Sequence, residues 1–229
     1  LERQSRGRTC KGAGAFADEY RRNPALDIHQ KLTDIADDPV NYPRYIVKNF
    51  VNGRLYGMGD VLLCHHMHWT TETSWDSRWN NGKGGYREKP TPESQEKIDG
   101  FVRFAPWLGM LVHEAARAAE KNLCVWTILR RKCHFIKGPD GKIWKAHKAF
   151  SRIGQGGAAD QGKATLVACD EAGIDVPLAV HDEFDFSSPD EKNALIVQDL
   201  MMNTVKFNVP MKVDIEYGDS WGKLQKWKN

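Results

Sequence analysis

Three residues of one predicted helix have the types and spacing needed to bind a chain of phosphates. Arg44 and Lys48 lie four residues apart, so they project from the same helical face on adjacent turns. Arginine offers a planar fork of N–H donors and lysine a point charge, and both suit phosphate oxygens. Tyr56 lies about 120° further round the helix, at ~100° per residue, where it faces a different partner such as a base. On its own, the Arg44–Lys48 pair is more typical of an ordinary basic helix face.

A second cluster consists of carboxylates at the tip of a predicted β-hairpin. His181, Asp182 and Glu183 stand between an apolar strand, residues 176–180, and a return strand. Carboxylate oxygens held beside a buried strand can bind Mg²⁺, and Asp185 adds a third carboxylate two residues later. A plain polar turn has the same short sequence, so this cluster alone is a weak indication of a metal site.

The segment from Gln155 to Asp160 is composed largely of Gly and Ala. Small residues would let a helix that starts here approach another backbone or a nucleic acid closely. We predict that the segment leads into a helix over residues 157–172 that Gly173 closes. Taken alone, it is an ordinary helix start.

A fourth segment, Cys64-His65-His66-Met67-His68, contains thiol and imidazole groups that commonly bind metals. His65 and His68 are spaced for one face of a helix, but no fourth ligand follows at a spacing familiar from zinc sites. Structural or solvated histidines are therefore favoured over a metal site.

The elements that must position these residues mix helix and strand patterns without a regular βαβ alternation, which indicates an α+β fold. Asn41 is the predicted N-cap of the helix that begins at Arg44, and residues 70–100, rich in Gly, Pro, Ser, Thr and Asn, are predicted to be an irregular insertion. Helices are predicted over residues 15–22, 27–35, 44–56, 94–122 with a break near Pro106, 157–172 and 188–207. Strands are predicted over residues 123–129, 143–144, 176–180, 184–186 and 211–216.

The composition suits one large or two small globular domains: 229 residues, of which 41% are hydrophobic and 28% charged. No apolar run approaches the ~18–20 residues that span a bilayer, and five cysteines without a CxxC pair are typical of a cytosolic protein with reduced thiols. The net charge of +3 hides an uneven distribution. Residues 101–152 carry 11 basic and 3 acidic side chains, whereas residues 153–229 carry 7 and 13. One surface could therefore hold a polyanion and another could hold cations.

The order of these segments resembles the C-terminal part of family A DNA polymerases, the DNA polymerase I type and especially its phage members. The resemblance covers nearly all 229 residues. The matching motifs are Asp27-Ile28-His29; Arg44-x3-Lys48-x7-Tyr56-Gly57; Thr127 to Lys132, with Arg130 where the family has Gly; His147-Lys148-Ala149 with Gln155-Gly156 and Ala159-Asp160; Val180-His181-Asp182-Glu183; and Gly218-x-x-Trp221. Several motifs in the family's order are much more specific than any one of them.

The resemblance implies a role for each matched residue in template-dependent addition of deoxynucleotides to a primer 3′-OH. Asp182 would bind one of two Mg²⁺ ions, and the implied catalytic residues are Asp182, Lys48 and Glu183. The implied ligands of the incoming dNTP are His29, Arg44 and Lys48 at the triphosphate and Tyr56 beside the templating base. The implied contacts to primer-template DNA are Gln155 and His181 in the minor groove, with Arg131 and Lys148.

The resemblance also implies a domain organisation. Residues 1–26 would be a palm segment that follows the first catalytic motif, residues 27–150 largely helical fingers, and residues 151–229 the C-terminal palm, an antiparallel sheet with helices. The expected location is the cytoplasm of a bacterial host, with no membrane association.

Departures from the family pattern affect the expected activity. Asn52 stands where an aromatic residue usually stacks near the sugar, with Phe50 two residues earlier, and Ser151 stands where Asn is more common. Leu1-Glu2 resembles the tail of the D-x-S-x-x-E motif, which would make Glu2 the residue that senses the sugar.

The Asp of that motif, the family's other metal ligand, would fall five residues before Glu2. One metal carboxylate cannot hold two ions in the required geometry. The chain alone is therefore expected to be inactive, and to need an N-terminal polymerase fragment that carries this Asp and the thumb, with or without a 3′→5′ exonuclease.

Two alternative functions remain open at the level of sequence. A non-catalytic nucleic-acid-binding remnant of a polymerase would bind DNA in a salt-sensitive way without synthesis. A metal hydrolase built around His65, His66 and His68 is the more remote alternative, and stoichiometric zinc in the purified protein would support it.

Overall fold

The computed structural model describes residues 13–227, so Glu2 and the motif tail assigned to it lie outside the described residues. The described chain divides into two compact units. The first unit comprises residues 13–16, 26–125 and 134–151, and the second comprises residues 17–25, 126–133 and 152–227. A compact unit is not by itself a palm or a finger domain, so the division at residues 26 and 150 stays a prediction.

Helices make up most of the described chain. They are α1 (Ala13–Arg22), α2 (Ile28–Ala36), α3 (Arg44–Leu55), α4 (Asp60–Met67), α5 (Trp79–Gly82), α6 (Pro92–Phe104), α7 (Pro106–Asn122), α8 (Ala149–Glu171) and α9 (Glu191–Asn203). Short 3₁₀ helices lie at Ala146–Lys148 and Trp221–Lys223. The predicted break between α6 and α7 is confirmed: α6 ends at Phe104 and Pro106 begins α7.

The strands of the described residues form four two-stranded sheets. The pairs are β1 (Thr71–Asp76) with β2 (Gly85–Pro90), β3 (Cys124–Trp126) with β4 (Lys132–His134), β5 (Leu178–Val180) with β6 (Glu183–Asp185), and β7 (Glu216–Tyr217) with β8 (Gln225–Lys226). The mixture of helices and small antiparallel hairpins is the α+β architecture that the sequence predicts. No helix in the described part of the chain is long and apolar enough to span a bilayer.

The core of the first unit lies where α2, α3, α4, α6 and α7 meet. Phe50 of α3 stacks on Phe101 of α6, with ring centroids 3.9 Å apart, and both side chains are almost fully buried. Leu32 and Leu63 are completely buried in the same cluster. Burying each such side chain contributes about 1.5–3 kcal/mol, so this cluster fixes where the exposed face of α3 lies.

The second unit has a smaller core, built from the end of α8, the hairpin β5–β6 and α9. Cys169, Ile174 and Val197 are buried in it, and Phe184 and Phe186 of the hairpin pack against them. Asp185, the one residue between these two phenylalanines, alternates with them along the chain and is itself half-buried.

The predicted irregular insertion is wrong for most of residues 70–100, because this segment contains a β-hairpin. Trp75 pairs with Tyr86 and Glu72 with Lys89 across β1 and β2. Gly82 and Gly84 have positive φ, +85° and +74°, which is the conformation that lets the chain reverse. Residues 92–104 of the segment already belong to α6.

Two predicted helix starts are also wrong. Asn41 does not cap α3, because its side chain donates to Asp38 (2.8 Å) and the N-cap residue is Pro43, which has no capping side chain. Helix α8 begins at Ala149, eight residues before the predicted start. The Gly- and Ala-rich run that is predicted to lead into the helix lies inside it, and its packing is described below.

The last predicted strand and the end of α9 differ from the structure as well. α9 ends at Asn203, four residues before the predicted end at residue 207. Only Glu216 of the predicted strand over residues 211–216 is a strand residue, in β7. Upstream of Glu216, the Val213 carbonyl accepts a hydrogen bond from the Gln198 side chain at 2.7 Å. This carbonyl is therefore paired with a side chain and not with a neighbouring strand.

Replacing Arg130 by glycine is expected to stabilise the protein by about 0.5–1 kcal/mol. Arg130 has φ of +67°, a left-handed conformation that costs an L-residue with a side chain energy and suits glycine, the residue that the family has here. The measurement is urea unfolding of the Arg130→Gly variant. Leu129→Gly is the matched control: Leu129 is half-exposed in the same turn without a positive φ, so its replacement should lower the free energy of unfolding instead.

Candidate active site

The amino ends of α2 and α3 are joined by one carboxylate, Asp27. It caps α2 by accepting the backbone N–H groups of His29 and Gln30, each at 3.0 Å. Its other oxygen accepts the Nε of Arg44 at 2.8 Å and lies 2.6 Å from the Arg44 Nη2. The Gln30 N–H and the Arg44 guanidinium hold the pKa of Asp27 below its ordinary value. Asp27 therefore stays ionised and fixes the direction of Arg44.

His29 and Lys48 lie beside this ion pair. The His29 ring is half-buried, with Nδ1 3.9 Å from the Asp27 carboxylate. Burial lowers the pKa of His29; the negative charge of Asp27 opposes this, and the positive charges of Arg44 and Lys48 lower it further. Lys48 is exposed and forms no ion pair with any residue that the structure describes. The three predicted triphosphate ligands thus share one locality, and Lys48 is its unneutralised cation.

Tyr56 and Gly57 form a tight turn that lies against His147 and Lys148. Tyr56 is the C-cap of α3, with its side chain 41% exposed, and its carbonyl accepts the Lys148 Nζ at 2.7 Å. Gly57 has φ of +77°, and a Cβ there would lie 2.9 Å from the His147 carbonyl oxygen. The Tyr-Gly and His-Lys motifs are therefore in contact. Lys148, predicted to contact DNA, is placed by the structure where its ammonium group holds the end of α3.

Asn52 occupies the helical position one turn after Lys48 and is half-buried. Phe50 cannot provide the missing aromatic ring, because its side chain is 1% exposed and belongs to the core described above. The exposed rings of α3 and its C-cap are those of Tyr45 and Tyr56.

In the second unit, the turn at residues 127–131 is fastened to α8 through Asp160. The buried Asp160 carboxylate accepts the Arg131 Nε at 2.8 Å and the Leu129 N–H at 3.3 Å. Burial raises the pKa of Asp160, but hydrogen bonds from Thr127, Arg131 and Leu129 outweigh it, so the pKa lies below its ordinary value. Arg131, predicted to contact DNA, is paired with Asp160 and is still about half-exposed.

Gly156, one turn before Asp160, lets this turn come close to α8. A Cβ at Gly156 would lie 2.5 Å from Cγ2 of Thr127 and 3.2 Å from Nη2 of Arg131. The Gly156 carbonyl also accepts Arg131 Nη2 at 2.9 Å. The spacing of Gly156 and Asp160 by one helical turn therefore has a structural purpose, which is the docking of the 127–131 turn.

Replacing Gly156 by alanine is expected to lower the free energy of unfolding by about 1–3 kcal/mol, because the new methyl group overlaps the buried Thr127 side chain. Gly162→Ala is the matched control in the same helix. No atom lies within 4 Å of a Cβ at Gly162, so removing the glycine should stabilise the helix by about 0.5–1 kcal/mol. Chemical unfolding of both variants measures the difference, and equal effects of the two substitutions would contradict the docking of the turn on Gly156.

Gln155 lies on the exposed side of α8. Ala159 and Lys163, four and eight residues later, are exposed as well, so they continue the same helical face. Gly156 and Asp160 fall on the neighbouring face and hold the turn. The Gly- and Ala-rich run thus has one side for internal packing and one side that is accessible to a partner.

The predicted hairpin is present, and His181 and Asp182 form its two-residue turn. Glu183, predicted to lie at the tip, is instead the first residue of β6 and pairs with Val180. His181 has φ of +58°, a left-handed conformation uncommon for a residue with a side chain. Asp182 is exposed and makes no ion pair among the described residues. Glu183 accepts a hydrogen bond from the indole Nε1 of Trp221 at 3.3 Å, which links this motif to the terminal one.

Asp185 differs from the two carboxylates at the tip. It is half-buried, and its Oδ2 is buried without a hydrogen-bond partner in the described residues. Burial raises its pKa, and the neighbouring charge of Glu183 raises it further. The expectation of a buried strand beside the carboxylates is only partly met, because Leu178 is 41% exposed.

The described residues contain no group of three His, Cys, Asp or Glu side chains arranged to hold a metal ion. In the histidine segment, Nε2 of His65 donates to Glu88 at 2.6 Å, and His68 ends α4 in a left-handed conformation. Cys64 is buried, and burial raises the pKa of its thiol. The hydrolase alternative therefore has no geometric support in this part of the chain.

Comparison with known sequences decides the family. The sequence model described as DNA polymerase family A matches residues 15–223, which include every motif above except the Leu1-Glu2 pair. The chain belongs to DNA polymerase family A. This family A chain is 33% identical over 224 residues to the DNA-directed DNA polymerase of Pseudomonas phage M6, and 25% identical over 224 residues to DNA polymerase DpoZ of Salmonella phage PMBT28.

The alignments cover 92% and 93% of the chain but 33% and 35% of these phage proteins, so the chain spans about a third of the length of the curated relatives it matches. The solved structure of the POL domain of Pol1 from M. smegmatis, in complex with DNA primer-template and dNTP, superposes with a TM-score of 0.70 at 21% identity. The superposition covers 93% of this chain and 36% of the M. smegmatis chain. The fold of this family A polymerase chain is thereby established.

Two residues that sequence reasoning did not assign to the site help to build it. Asp27 orients Arg44 and caps α2, and Trp221 donates to Glu183. The available signals were an Asp directly before a helix, which is typical of an N-cap, and the position of Trp221 in a family motif.

Proposed function

We propose that this chain provides the fingers and the C-terminal palm of a DNA-directed DNA polymerase, which transfers deoxynucleotides to a primer 3′-OH on a DNA template in the bacterial host cytoplasm. The observation that carries the proposal is the arrangement of cations on α3. Arg44 is oriented by Asp27, Lys48 has no acidic partner in the described residues, and His29 lies beside both. A family A chain with a preorganised, incompletely neutralised cation cluster is suited to a triphosphate.

The reaction forms a bond between the primer 3′-oxygen and the α-phosphorus of the dNTP, and it breaks the bond from that phosphorus to pyrophosphate. The proton of the 3′-OH passes to solvent water, and negative charge accumulates on the leaving pyrophosphate. In our proposal Lys48, Arg44 and His29 contact the triphosphate, and the two permanent cations stabilise this charge as it develops. Tyr56, at the end of the same helix, lies by the templating base.

The chemistry of the Asp182 carboxylate fits Mg²⁺, since it is exposed, free of ion pairs among the described residues, and presents the oxygen ligands that this ion takes. Two bound Mg²⁺ ions would activate the 3′-hydroxyl and steady the leaving group. Glu183 accepts a hydrogen bond from Trp221 and is the next residue after Asp182, so it is the second proposed catalytic carboxylate of this turn. We propose that the other metal carboxylate comes from polypeptide outside residues 13–227, on a fragment that also carries the thumb, with or without a 3′→5′ exonuclease.

Primer-template DNA is the proposed partner of the second unit. Gln155 on the exposed face of α8 and His181 at the hairpin turn are accessible for minor-groove contacts near the primer end. Arg131 of this unit and Lys148 of the first unit keep their proposed role as DNA contacts. Each also donates to a backbone carbonyl of the protein, Arg131 to Gly156 and Lys148 to Tyr56.

The test is primer extension with Mg²⁺, dNTPs and a polymerase completed by the upstream polypeptide that makes up the rest of the relatives' length. We expect template-dependent addition of nucleotides. The remnant hypothesis, motivated by Asn52 and by the single metal carboxylate of the described site, predicts salt-sensitive DNA binding with no synthesis from the completed protein. Synthesis therefore decides between the two.

A nucleoside triphosphate is expected to raise the pKa of His29. In the free protein this pKa is lowered by burial and by the charges of Arg44 and Lys48, so the ring is neutral at pH 7. A triphosphate beside the ring favours the imidazolium. Binding then takes up a proton at any pH between the two pKa values, so affinity strengthens as the pH falls from the pKa of the complex toward the pKa of the free protein. Magnetic resonance titration of the His29 ring with and without dATP measures the shift, and an unchanged pKa would contradict the placement of the triphosphate.

A further inference from the structure

The hairpin β1–β2 of the first unit carries three large aromatic side chains that the unit does not bury. Trp75 is 59% exposed, Trp79 48% and Tyr86 73%. Single exposed aromatic residues are common on protein surfaces, but Trp75 and Tyr86 are paired across the strands and form one aromatic patch on the same face of the hairpin. Trp79 packs against Gly85 and Arg87, which alternate to the opposite face of β2. The nucleotide-transfer proposal assigns no task to this patch.

The geometry of the hairpin holds these rings in place. Trp75 and Tyr86 are directly paired across the strands and meet edge to face, with centroids 5.4 Å apart. The Trp75 ring covers Gly84 and the Trp79 ring covers Gly85, each so closely that a Cβ at the glycine would overlap the indole. The glycines therefore let both indoles pack closely on the backbone, so these side chains lose little freedom when a planar partner binds.

Positive charge surrounds the rings. Between Trp75 and Arg87 the chain carries Arg78, Lys83 and Arg87 against the single carboxylate Asp76, a net charge of +2. The Arg87 guanidinium lies 4.4 Å from the centre of the Trp79 ring, and the Arg78 side chain is 94% exposed. Aromatic rings with interleaved cations are the combination that binds a single nucleic-acid strand, since bases stack on the rings and phosphates contact the cations.

The base of the hairpin is anchored, so the tip is presented on a fixed support. Glu88 of β2 accepts hydrogen bonds from His65 of α4 and from Thr71, both at 2.6 Å. The Lys89 ammonium lies 3.1 Å from the Glu72 carboxylate across the strands. His65, which the sequence offers as a metal ligand, thus serves to fasten the hairpin to α4.

We infer that the tip of this hairpin, residues 75–87, binds single-stranded DNA by stacking bases on the Trp75–Tyr86 pair. The charge of the tip favours a polyanion over an apolar protein surface. This inference goes beyond nucleotide transfer: it gives the chain a second contact to DNA, for which the unpaired template strand is the source.

The test measures binding of a fluorescein-labelled 20-nucleotide oligothymidylate to the 229-residue chain by fluorescence anisotropy. Base stacking contributes enough that each ring removed should weaken binding about tenfold, so Trp75→Ala with Tyr86→Ala is expected to weaken it about 30- to 100-fold. The double replacement by phenylalanine keeps two stacking faces and should stay within about threefold of the unchanged protein. Thr73→Ala, on the same face of β1, is the control and should have no effect.

Two further results decide the inference. Replacing Arg78 and Arg87 by alanine should reduce the salt dependence of binding, because fewer counterions are released. A duplex of the same length should bind equally well to all variants. Unchanged oligothymidylate affinity in the double alanine variant, with its circular dichroism and thermal unfolding preserved, would overturn the inference, and so would an equal loss of duplex binding. Neither result depends on synthesis, so failure of the inference and failure of the proposed function are distinguishable.

Discussion

Replacing Asp182 by asparagine is expected to slow single-nucleotide incorporation by the completed polymerase by about 10³-fold or more. A carboxylate that binds a catalytic ion supplies several kcal/mol of charge stabilisation, and each 1.36 kcal/mol is about tenfold in rate. Asp182 is exposed at a two-residue turn and has no ion pair in the described residues, so its removal should leave folding unchanged. The loss should therefore appear in the rate of the chemical step and not in the amount of folded protein.

The measurement is single-turnover incorporation at saturating dNTP and DNA, repeated over a range of Mg²⁺ concentrations. Asp175→Asn is the matched control, because Asp175 is an exposed carboxylate of the same unit that we assign no role. It should keep the rate within about twofold, as for a surface substitution. If Asp182→Asn retained the unchanged rate, the assignment of the metal ligand would be wrong.

Replacing Lys48 by alanine is expected to slow incorporation by about 10²- to 10³-fold, which is the scale for loss of one preorganised group at developing charge. The reason is specific to this cluster. Arg44 shares its charge with Asp27, whereas Lys48 has no such partner in the described residues. Lys48 therefore supplies most of the uncompensated positive charge that the triphosphate meets.

The dependence on dNTP concentration separates two roles of Lys48. A cation that acts mainly on the leaving pyrophosphate lowers kcat, and one that only binds the ground state raises KM. We expect a fall in kcat that exceeds the rise in KM. Lys121→Ala, which removes an exposed lysine from the last turn of α7, should change neither. A variant at Lys48 with unchanged kcat would leave this residue only a binding role.

The parts of the site that local patterns determine could be predicted from the sequence. The hairpin follows from the alternation of its side chains. Phe184 and Phe186 pack into the core, and Glu183 directly follows the turn and pairs with Val180. Helix α3 was predicted to within one residue at its end, where Gly57 has the positive φ that stops it. In both places, local sequence preference and tertiary packing favour the same structure.

The contacts that orient the site residues could not be predicted, because they join residues far apart in the sequence. Asp27 reaches Arg44 across 17 residues, Asp160 reaches Arg131 across 29, and Trp221 reaches Glu183 across 38. The sequence around a single Asp or Trp does not indicate which distant residue it contacts. For this reason Arg131 and Lys148 were predicted as plain DNA contacts, whereas the structure places each in a hydrogen bond that holds the protein backbone.

Glycine misled the prediction in two opposite ways. In α8, Gly156 indicates a loop by propensity, but close packing of Thr127 against it outweighs the cost of about 1 kcal/mol for glycine in a helix. In residues 70–91, Gly82 and Gly84 do mark a turn, but the strands on either side are recognisable only once Trp75 is paired with Tyr86. Register of this kind is set by cross-strand contacts and not by composition.

The most direct test of the central claim, that the turn at Asp182 binds the ion used in nucleotide transfer, is to map where a reactive ion in its place cuts the chain. Fe²⁺ replaces Mg²⁺ in the completed polymerase with primer-template and dNTP; ascorbate then generates local cleavage, and mass spectrometry identifies the sites that excess Mg²⁺ suppresses. We predict suppressible cleavage within a few residues of Asp182 that disappears in Asp182→Asn. Suppressible cleavage at residues 65–68 with none near residue 182 would contradict the account and place the metal at the histidines.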